Sequence, residues 1–311
     1  MKKGCFILLS LILFLTCSVT GCAGQKEIGK GPIIVGSKID AEGALLAHLI
    51  ILSLREQGFN VVDKSSFGPT SVVRKALISG EIDIYPEYTG AGAFFFDELD
   101  SLVWKDAQQG YDRVKKLDKE QNSIVWLTPA PADNTWAIAI PQKLADEENL
   151  KSLEDFAAYV NSGGYVKLIG SEEFIIVADA LPAFQEAYGF KLNNDQLVTV
   201  SSGDTAYTEK AAAEGIDGIN AAMAYGTDGA LKAFDMVILS DPKGVQPVYE
   251  PTPIVRGAIY EKYPEIERIL APVFESLDLV TLQMLNGKIT VDGQNAGDVA
   301  KSYLETNKFI N

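Results

Sequence analysis

Four aromatic residues stand where predicted strands begin or end, or where proline-rich segments cross between predicted lobes. At such positions an aromatic ring can present a flat face to a cleft, and that face attracts a cation through its negative quadrupole. Each ring taken singly is more often part of a core or a hinge. The residues alone leave lining of a cleft and packing of a core both open. The four are Tyr88, Trp136, Tyr225 and Tyr249.

The stretch of residues 80–96 shows how one of these rings would be positioned. Ile82, Ile84 and Pro86 alternate with polar residues, which predicts a strand with one buried face. Pro86 lacks a backbone donor and is expected to end that strand. The glycine-containing turn at residues 89–92 follows, where the backbone could approach a ligand closely.

Enzyme chemistry finds little support in the residue types. His48 is the single histidine and lies in a predicted apolar helix, so any Ser-His-Asp or Cys-His arrangement would have to centre on it. The sequence has no His/Cys metal cluster and no phosphate-binding loop. We therefore expect no catalytic residue, no metal and no cofactor.

Predicted strands and helices alternate along the chain, which favours an α/β fold with central sheets. Asp204 is expected to cap a helix over residues 206–213, an end that can also receive an anion. The strands are predicted at residues 33–36, 60–63, 82–86, 124–127, 136–140, 166–169, 197–200, 219–223 and 237–239. The clearest helices are predicted at residues 42–57, 263–277, 281–285 and 296–306.

Two proline-rich segments, residues 128–132 and 241–247, are predicted to cross between two lobes. Lobe one would comprise residues 32–132 together with 247–311, and lobe two residues 133–246. A chain of this length is consistent with two lobes.

The amino terminus has the features of a processed export signal. Lys2 and Lys3 precede the short apolar run 6–15, and small residues lead to Cys22. This arrangement is similar to a bacterial lipobox, which predicts a signal peptide over residues 1–21, lipidation of Cys22 and a tether over residues 22–31. An ordinary secretory signal with an incidental cysteine is the alternative.

Cysteine usage and charge narrow the partners further. Cys5 and Cys17 would leave with the signal and Cys22 would carry lipid, so no disulfide is expected. The net charge of −15 argues against nucleic acid and anionic lipid surfaces as partners.

Several segments in order resemble one family, the substrate-binding proteins of ABC importers for glycine betaine, choline and related osmoprotectants. The resemblance covers nearly all of the predicted mature chain and is closest to the low-affinity osmoprotectant-binding branch. It rests on Tyr-Pro-Glu-Tyr-Thr-Gly at residues 85–90 and on residues 35–46, 129–136, 221–229 and 244–249.

The resemblance implies a two-lobed periplasmic-binding-protein fold of type II-like form, with the ligand cleft between the lobes. It also implies that Tyr88, Trp136, Tyr225 and Tyr249 form an aromatic cage for a quaternary ammonium group, and that Lys38 assists at the carboxylate end. A membrane ABC permease with its ATPase would be the partner. The location would be extracytoplasmic and membrane-anchored.

Three positions depart from the family pattern. Trp136 replaces a usual tyrosine and keeps the chemistry, whereas Ala91 and Val177 replace polar residues that would contact a carboxylate. The ammonium end therefore looks intact and the acid end weakened, so glycine betaine is the first expectation and choline remains open. A sensor that reports to a receptor is the alternative function.

Overall fold

The computed structural model describes residues 29–99, 101–201 and 205–311. The predicted signal peptide, Cys22, most of the tether and the predicted cap Asp204 lie outside these residues. The strands are β1 (Lys30–Lys38), β2 (Phe59–Gly68), β3 (Ile84–Tyr88), β4 (Ile124–Trp126), β5 (Trp136–Pro141), β6 (Leu168–Ser171), β7 (Leu197–Val200), β8 (Ala221–Tyr225), β9 (Met236–Ile238) and β10 (Pro251–Arg256).

Helices connect most of these strands, and four of them follow β10. They are α1 (Ala41–Glu56), α2 (Thr70–Ser79), α3 (Gly92–Phe95), α4 (Ala107–Asn122), α5 (Gln142–Glu148), α6 (Leu153–Asn161), α7 (Glu172–Ile176), α8 (Leu181–Tyr188), α9 (Thr205–Ala213), α10 (Gly229–Ala233), α11 (Gly257–Lys262), α12 (Glu265–Glu275), α13 (Leu279–Thr290) and α14 (Ala296–Thr306). The predicted α/β fold is confirmed. Within the described residues, none of these helices is both long and apolar enough to cross a bilayer.

Two five-stranded sheets share one topological plan. The first has the strand order β2-β1-β3-β10-β4 and the second β7-β6-β8-β5-β9. In each sheet the first three strands are parallel, and the strand in fourth position is antiparallel to both neighbours. That antiparallel strand is the one the chain forms on arriving from the other sheet. The segments between β4 and β5 and between β9 and β10 therefore connect the two sheets, and both contain prolines.

Apolar side chains cover both faces of each sheet. On the first sheet, α1, α12 and α14 bury one face and α2 and α4 the other. On the second sheet, α6 and α8 cover one face and α9 and α10 the other. Burial on both faces explains why so many of the strands are almost continuously apolar. The division into lobes at residues 132/133 and 246/247 remains a prediction, with which the origin of the strands agrees.

The prediction that Pro86 ends its strand was wrong. β3 continues through Pro86 to Tyr88, and Pro86 lies opposite Pro253 of β10. The Pro253 carbonyl faces β4, where it accepts a hydrogen bond from the Leu127 amide at 3.0 Å. The nitrogen and carbonyl of one strand residue point to the same side, so both proline nitrogens face away from the β3–β10 ladder and cost it no hydrogen bond. All five residues of β3 are buried, so the expected exposed face is also absent from it.

β10 itself was not predicted. Its sequence carries prolines at 251 and 253, and proline is uncommon inside a strand. The Pro253 nitrogen needs no partner from β3, and Ile254 and Val255 are fully buried. Tertiary burial therefore outweighed the local signal of the prolines.

Candidate functional site

A cleft of about 1450 Å³ lies between the two sheets, and all five predicted site residues line it. Each belongs to a different segment. Lys38 ends β1, Tyr88 ends β3, Trp136 begins β5 and Tyr225 ends β8, while Tyr249 lies in the second crossing just before β10. The ends of strands from both sheets thus bring these residues together around the cleft. Their role in binding a ligand stays a prediction.

Tyr88 forms part of the cleft wall on the side of the first sheet. Its side chain is buried, and its hydroxyl donates a hydrogen bond of 2.6 Å to the Glu42 carboxylate. Burial and the neighbouring Glu42 raise the pKa of Tyr88 well above its usual value. The hydroxyl therefore stays protonated and the ring is held at a fixed angle.

Trp136 and Tyr225 face each other across the β5–β8 pair of the second sheet. They are direct register partners, and their rings stack with centroids 6.4 Å apart and planes inclined by 24°. The fully buried Phe174 meets the Trp136 ring edge-on at 6.2 Å. The Asp228 carboxylate accepts a hydrogen bond of 2.6 Å from the Tyr225 amide and so closes the turn after β8. The pair is a rigid aromatic wall.

Tyr249 ties the two crossings together. Its amide donates to the Asp133 carboxylate at 2.8 Å, and its carbonyl accepts from the Asn134 amide at 2.9 Å. Burial, then nearby Asp133 and Glu87, raise the pKa of Tyr249 to about 12. Burial also raises the pKa of Asp133 to about 6. The position of Tyr249 is thus fixed by backbone contacts between the two crossings.

The glycines after Tyr88 lie close to aromatic rings of the protein. A side chain at Gly90 would lie 2.9 Å from the Tyr249 ring, and one at Gly92 would lie 2.5 Å from the Trp104 ring. Their missing side chains make room for protein aromatics, and neither glycine lines the cleft. The approach of this backbone to a ligand stays a prediction.

Lys38 lies above the Tyr88 ring, with its ammonium nitrogen 4.4 Å from the ring centroid. The same nitrogen pairs with the Glu87 carboxylate at 2.5 Å. Glu87 is fully buried and also accepts from the Tyr85 hydroxyl at 2.9 Å and from the Tyr88 amide at 3.0 Å. A lysine at a strand end could have been solvated, but this one is an ordered part of the cleft.

Glu42 is a cleft residue that sequence reasoning missed. It is the second residue of α1, is 7% exposed and accepts hydrogen bonds from Tyr88, Asn134 and Asn286. Burial raises the pKa of Glu42, and hydrogen bonds, first that of Thr227, oppose the rise. An acidic residue in the first turn of a helix is ordinary, so its type and spacing carry no signal of this role.

Ala91 and Val177, the two departures at the acid end, are not among the residues that line the cleft. Ala91 is buried, whereas Val177 is 38% exposed at the end of α7. Two residues that flank Val177 in the sequence, Glu173 and Asp179, do line the cleft.

His48 lies away from the cleft. It is half-buried on α1, and its Nδ1 atom is 3.9 Å from an oxygen of Asp63. Over the described ranges, the structure contains no group of three or more histidine, cysteine or acidic side chains placed to hold a metal.

Two α/β units joined by two crossings, with an aromatic cleft between them, define the class of two-lobed solute-binding proteins. The chain belongs to the OpuAC family, described as the substrate binding domain of ABC-type glycine betaine transport systems, which matches residues 31–306. This confirms the resemblance seen in the sequence. The chain is therefore a solute-binding protein for an ABC transporter.

Individual relatives agree with the family. The glycine betaine-binding protein YehZ of Escherichia coli is 56% identical over 274 residues, which cover 88% of this chain and 90% of that protein. A glycine-betaine-binding protein of Pseudomonas aeruginosa is 30% identical over 304 residues, covering 96% and 94%. The solved structure of apo YehZ from E. coli has a TM-score of 0.84 at 54% identity and covers 90% of this chain and 99% of that one.

Proposed function

We propose that this protein captures a small quaternary ammonium compound, glycine betaine first, in a cage of Tyr88, Trp136, Tyr225 and Tyr249. It then delivers the ligand to a membrane ABC permease with its ATPase. One observation carries the proposal: four aromatic residues from four separate segments, spread over both sheets, line a single cleft. The names of the relatives support the choice of ligand.

The chemistry of the ligand explains why aromatic faces suit it. A trimethylammonium group carries a full charge but has no N–H to donate, so ordinary hydrogen bonds cannot hold it. An aromatic face offers a negative quadrupole and an apolar surface together, worth about 2 kcal/mol for a desolvated contact. Because the rings come from both sheets, a bound ligand would bridge the lobes and favour the closed state.

The charges beside the cage favour a zwitterion over a simple cation. Lys38 already occupies a face of the Tyr88 ring and is paired with Glu87, so a ligand cation at that face would compete with the Lys38 ammonium, whereas a ligand carboxylate could approach that ammonium. The Thr135 hydroxyl oxygen lies in a cleft-lining residue, is buried, and has no hydrogen-bond partner in the described part of the chain. Lys38 and Thr135 together offer a carboxylate the contacts that Ala91 and Val177 do not supply. This supports glycine betaine over choline.

The protein acts in transport rather than as an enzyme, which its membership of a family of substrate-binding domains supports. It works outside the cytoplasm and is held at the membrane by lipid on Cys22. The sensor alternative is not favoured, because the family is defined by a transport system.

Calorimetric titration of the purified protein with glycine betaine, choline, carnitine, ectoine and proline tests this function. We expect glycine betaine to bind most tightly and choline more weakly. Proline is the reference without a trimethylammonium group and should bind least among the compounds that resemble betaine in charge. Proline binding as tightly as glycine betaine would contradict the cage, and tighter binding of choline would contradict the role of Lys38.

A further inference from the structure

Glu42 contacts, directly or through one residue, every segment that carries a cage aromatic. One carboxylate oxygen accepts from the Tyr88 hydroxyl at 2.6 Å and from the Asn134 side chain at 3.0 Å. The other oxygen accepts from the Asn286 side chain at 2.5 Å. The donors therefore come from β3, from the first crossing and from α13.

Asn134 passes this connection to two further rings. It precedes Trp136 by two residues, at the start of β5. Its backbone N–H also donates to the Tyr249 backbone carbonyl at 2.9 Å. The position of Asn134 relative to Glu42 therefore sets where the first crossing enters the second sheet and where the second crossing lies beside it.

Asn286 completes the connection to the fourth ring. Its side-chain nitrogen also donates to the Thr227 carbonyl at 2.9 Å, two residues beyond Tyr225. On the same helix, Gln283 donates to the Gly226 carbonyl at 2.8 Å. α13 thus holds the turn after β8 against the carboxylate of Glu42, which belongs to the first sheet's α1.

We propose that Glu42 is the positioning residue of the aromatic cage, and that its carboxylate sets the relative placement of the segments that bear the four rings. This inference rests on the proposed function, because it assigns Glu42 an effect on ligand affinity. An ionised carboxylate has lone pairs on both oxygens for all three donors and needs no acceptor of its own. A glutamine has one acceptor oxygen, and its own N–H groups would face the N–H groups of Asn134 or Asn286.

Glu42→Gln tests the inference when glycine betaine affinity and thermal unfolding are measured on the same full chain. We expect affinity to fall at least tenfold. Glu42→Asp keeps the charge but shortens the side chain by one methylene, so it should also lose at least fivefold. Wild-type affinity in Glu42→Asp, or a change below twofold in a folded Glu42→Gln protein, would overturn the inference.

Asp118→Asn is the matched control. Asp118 is also a buried carboxylate and accepts hydrogen bonds from Arg74 and Trp126, but it does not line the cleft. It should lower the unfolding temperature and leave betaine affinity within twofold. An equal loss of affinity in Asp118→Asn would mean that general destabilisation explains the Glu42 result, and would overturn the inference.

A double-mutant cycle with Tyr88→Phe separates positioning from simple loss of stability. If Glu42 acts on the cage through the Tyr88 hydroxyl, the two affinity losses should be clearly less than multiplicative in the double variant. Fully multiplicative losses would overturn that route. If Glu42→Gln does not fold, Tyr88→Phe and Asn286→Ala each remove one hydrogen bond to Glu42, and Asn286→Ala also removes the bond to Thr227, so both should weaken binding severalfold. Wild-type affinity in both would overturn the inference, whereas failure of the proposed function shows separately, as unchanged binding in Trp136→Leu.

Discussion

Replacing Trp136 with leucine is the most direct test of the cage. Leucine keeps an apolar wall at the start of β5 but removes the ring quadrupole that would face the ammonium group. Trp136 lines the cleft, so the ligand would meet leucine in place of the aromatic ring. A desolvated cation–π contact is worth about 2 kcal/mol. That corresponds to a fall in betaine affinity of roughly thirtyfold.

Trp136→Leu should also cost stability, which the sequence alone did not indicate. The ring stacks on Tyr225 at 6.4 Å and meets Phe174 edge-on at 6.2 Å. Aromatic pairs of this kind contribute about 0.5–1.5 kcal/mol each beyond buried area. Two such pairs predict a loss of about 1–3 kcal/mol in the free energy of unfolding, measurable by urea denaturation. Trp136→Tyr keeps a ring and should retain most of the affinity.

Phe174→Leu is the matched control for this loss of stability. Phe174 is fully buried and packs edge-on against the Trp136 ring, but it does not line the cleft. It should destabilise the protein to a similar extent and leave betaine affinity within about twofold. Calorimetry and denaturation on both variants therefore separate an effect on the cage from an effect on the core.

The ligand supplies the second control. In 3,3-dimethylbutanoate a carbon replaces the quaternary nitrogen of glycine betaine, so shape is kept and the positive charge is lost. This isostere should bind poorly to the wild type and be indifferent to Trp136→Leu. If it binds as well as betaine, or if betaine binding survives Trp136→Leu unchanged, the pocket is merely hydrophobic and the cage reasoning is refuted.

Three further predictions concern the anchor, the acid end and the hinge. Cys22→Ser should leave the precursor unlipidated, and mass spectrometry of a wild-type amino terminus without lipid would contradict the anchor. Val177→Arg should tighten glycine betaine about tenfold or more and choline little, because a charge-assisted contact to a carboxylate is worth about 1.5–3 kcal/mol; equal calorimetric effects on both ligands would contradict this. Burial raises the pKa of Asp133 from 3.8 to about 6, so wild-type stability from this group is greatest below pH 4 and falls by about 3 kcal/mol as the pH rises through 6. Asp133→Asn should therefore raise the unfolding temperature at pH 7.5 but not at pH 4, and an equal shift at both would exclude this titration.

Periodicity predicted the α/β class because strand and helix patterns are local. The strand at residues 197–200 and the final helix at 296–306 match the structure at both ends. Strand boundaries failed where tertiary contacts decide them. β2 extends to Gly68 because β1 pairs with it, and β10 forms despite two prolines because its buried residues pair with β3 and β4.

The aromatic part of the cleft was anticipated through the family resemblance, because the positions of the rings at strand ends and in a crossing left cleft lining and core packing both open. The polar part was not. Glu42 and Asn286 are far apart in sequence, yet their side chains are 2.5 Å apart. No local pattern marks such a pair. The same holds for Glu87, whose burial follows from β3 having covered faces on both sides.

The buried carboxylates explain how an acidic cleft can still leave the ligand's cation to aromatic faces. Glu87 is compensated by Lys38, and Glu42 distributes its charge over donors from three segments. Neither carboxylate is left unpaired, so a ligand gains little by displacing their partners, which would strand a buried charge. The ammonium group then gains most against the rings, and the carboxylate of a zwitterion gains most near Lys38. A binding site ordered in this way selects for the separation of the two charges in the ligand, and not merely for positive charge.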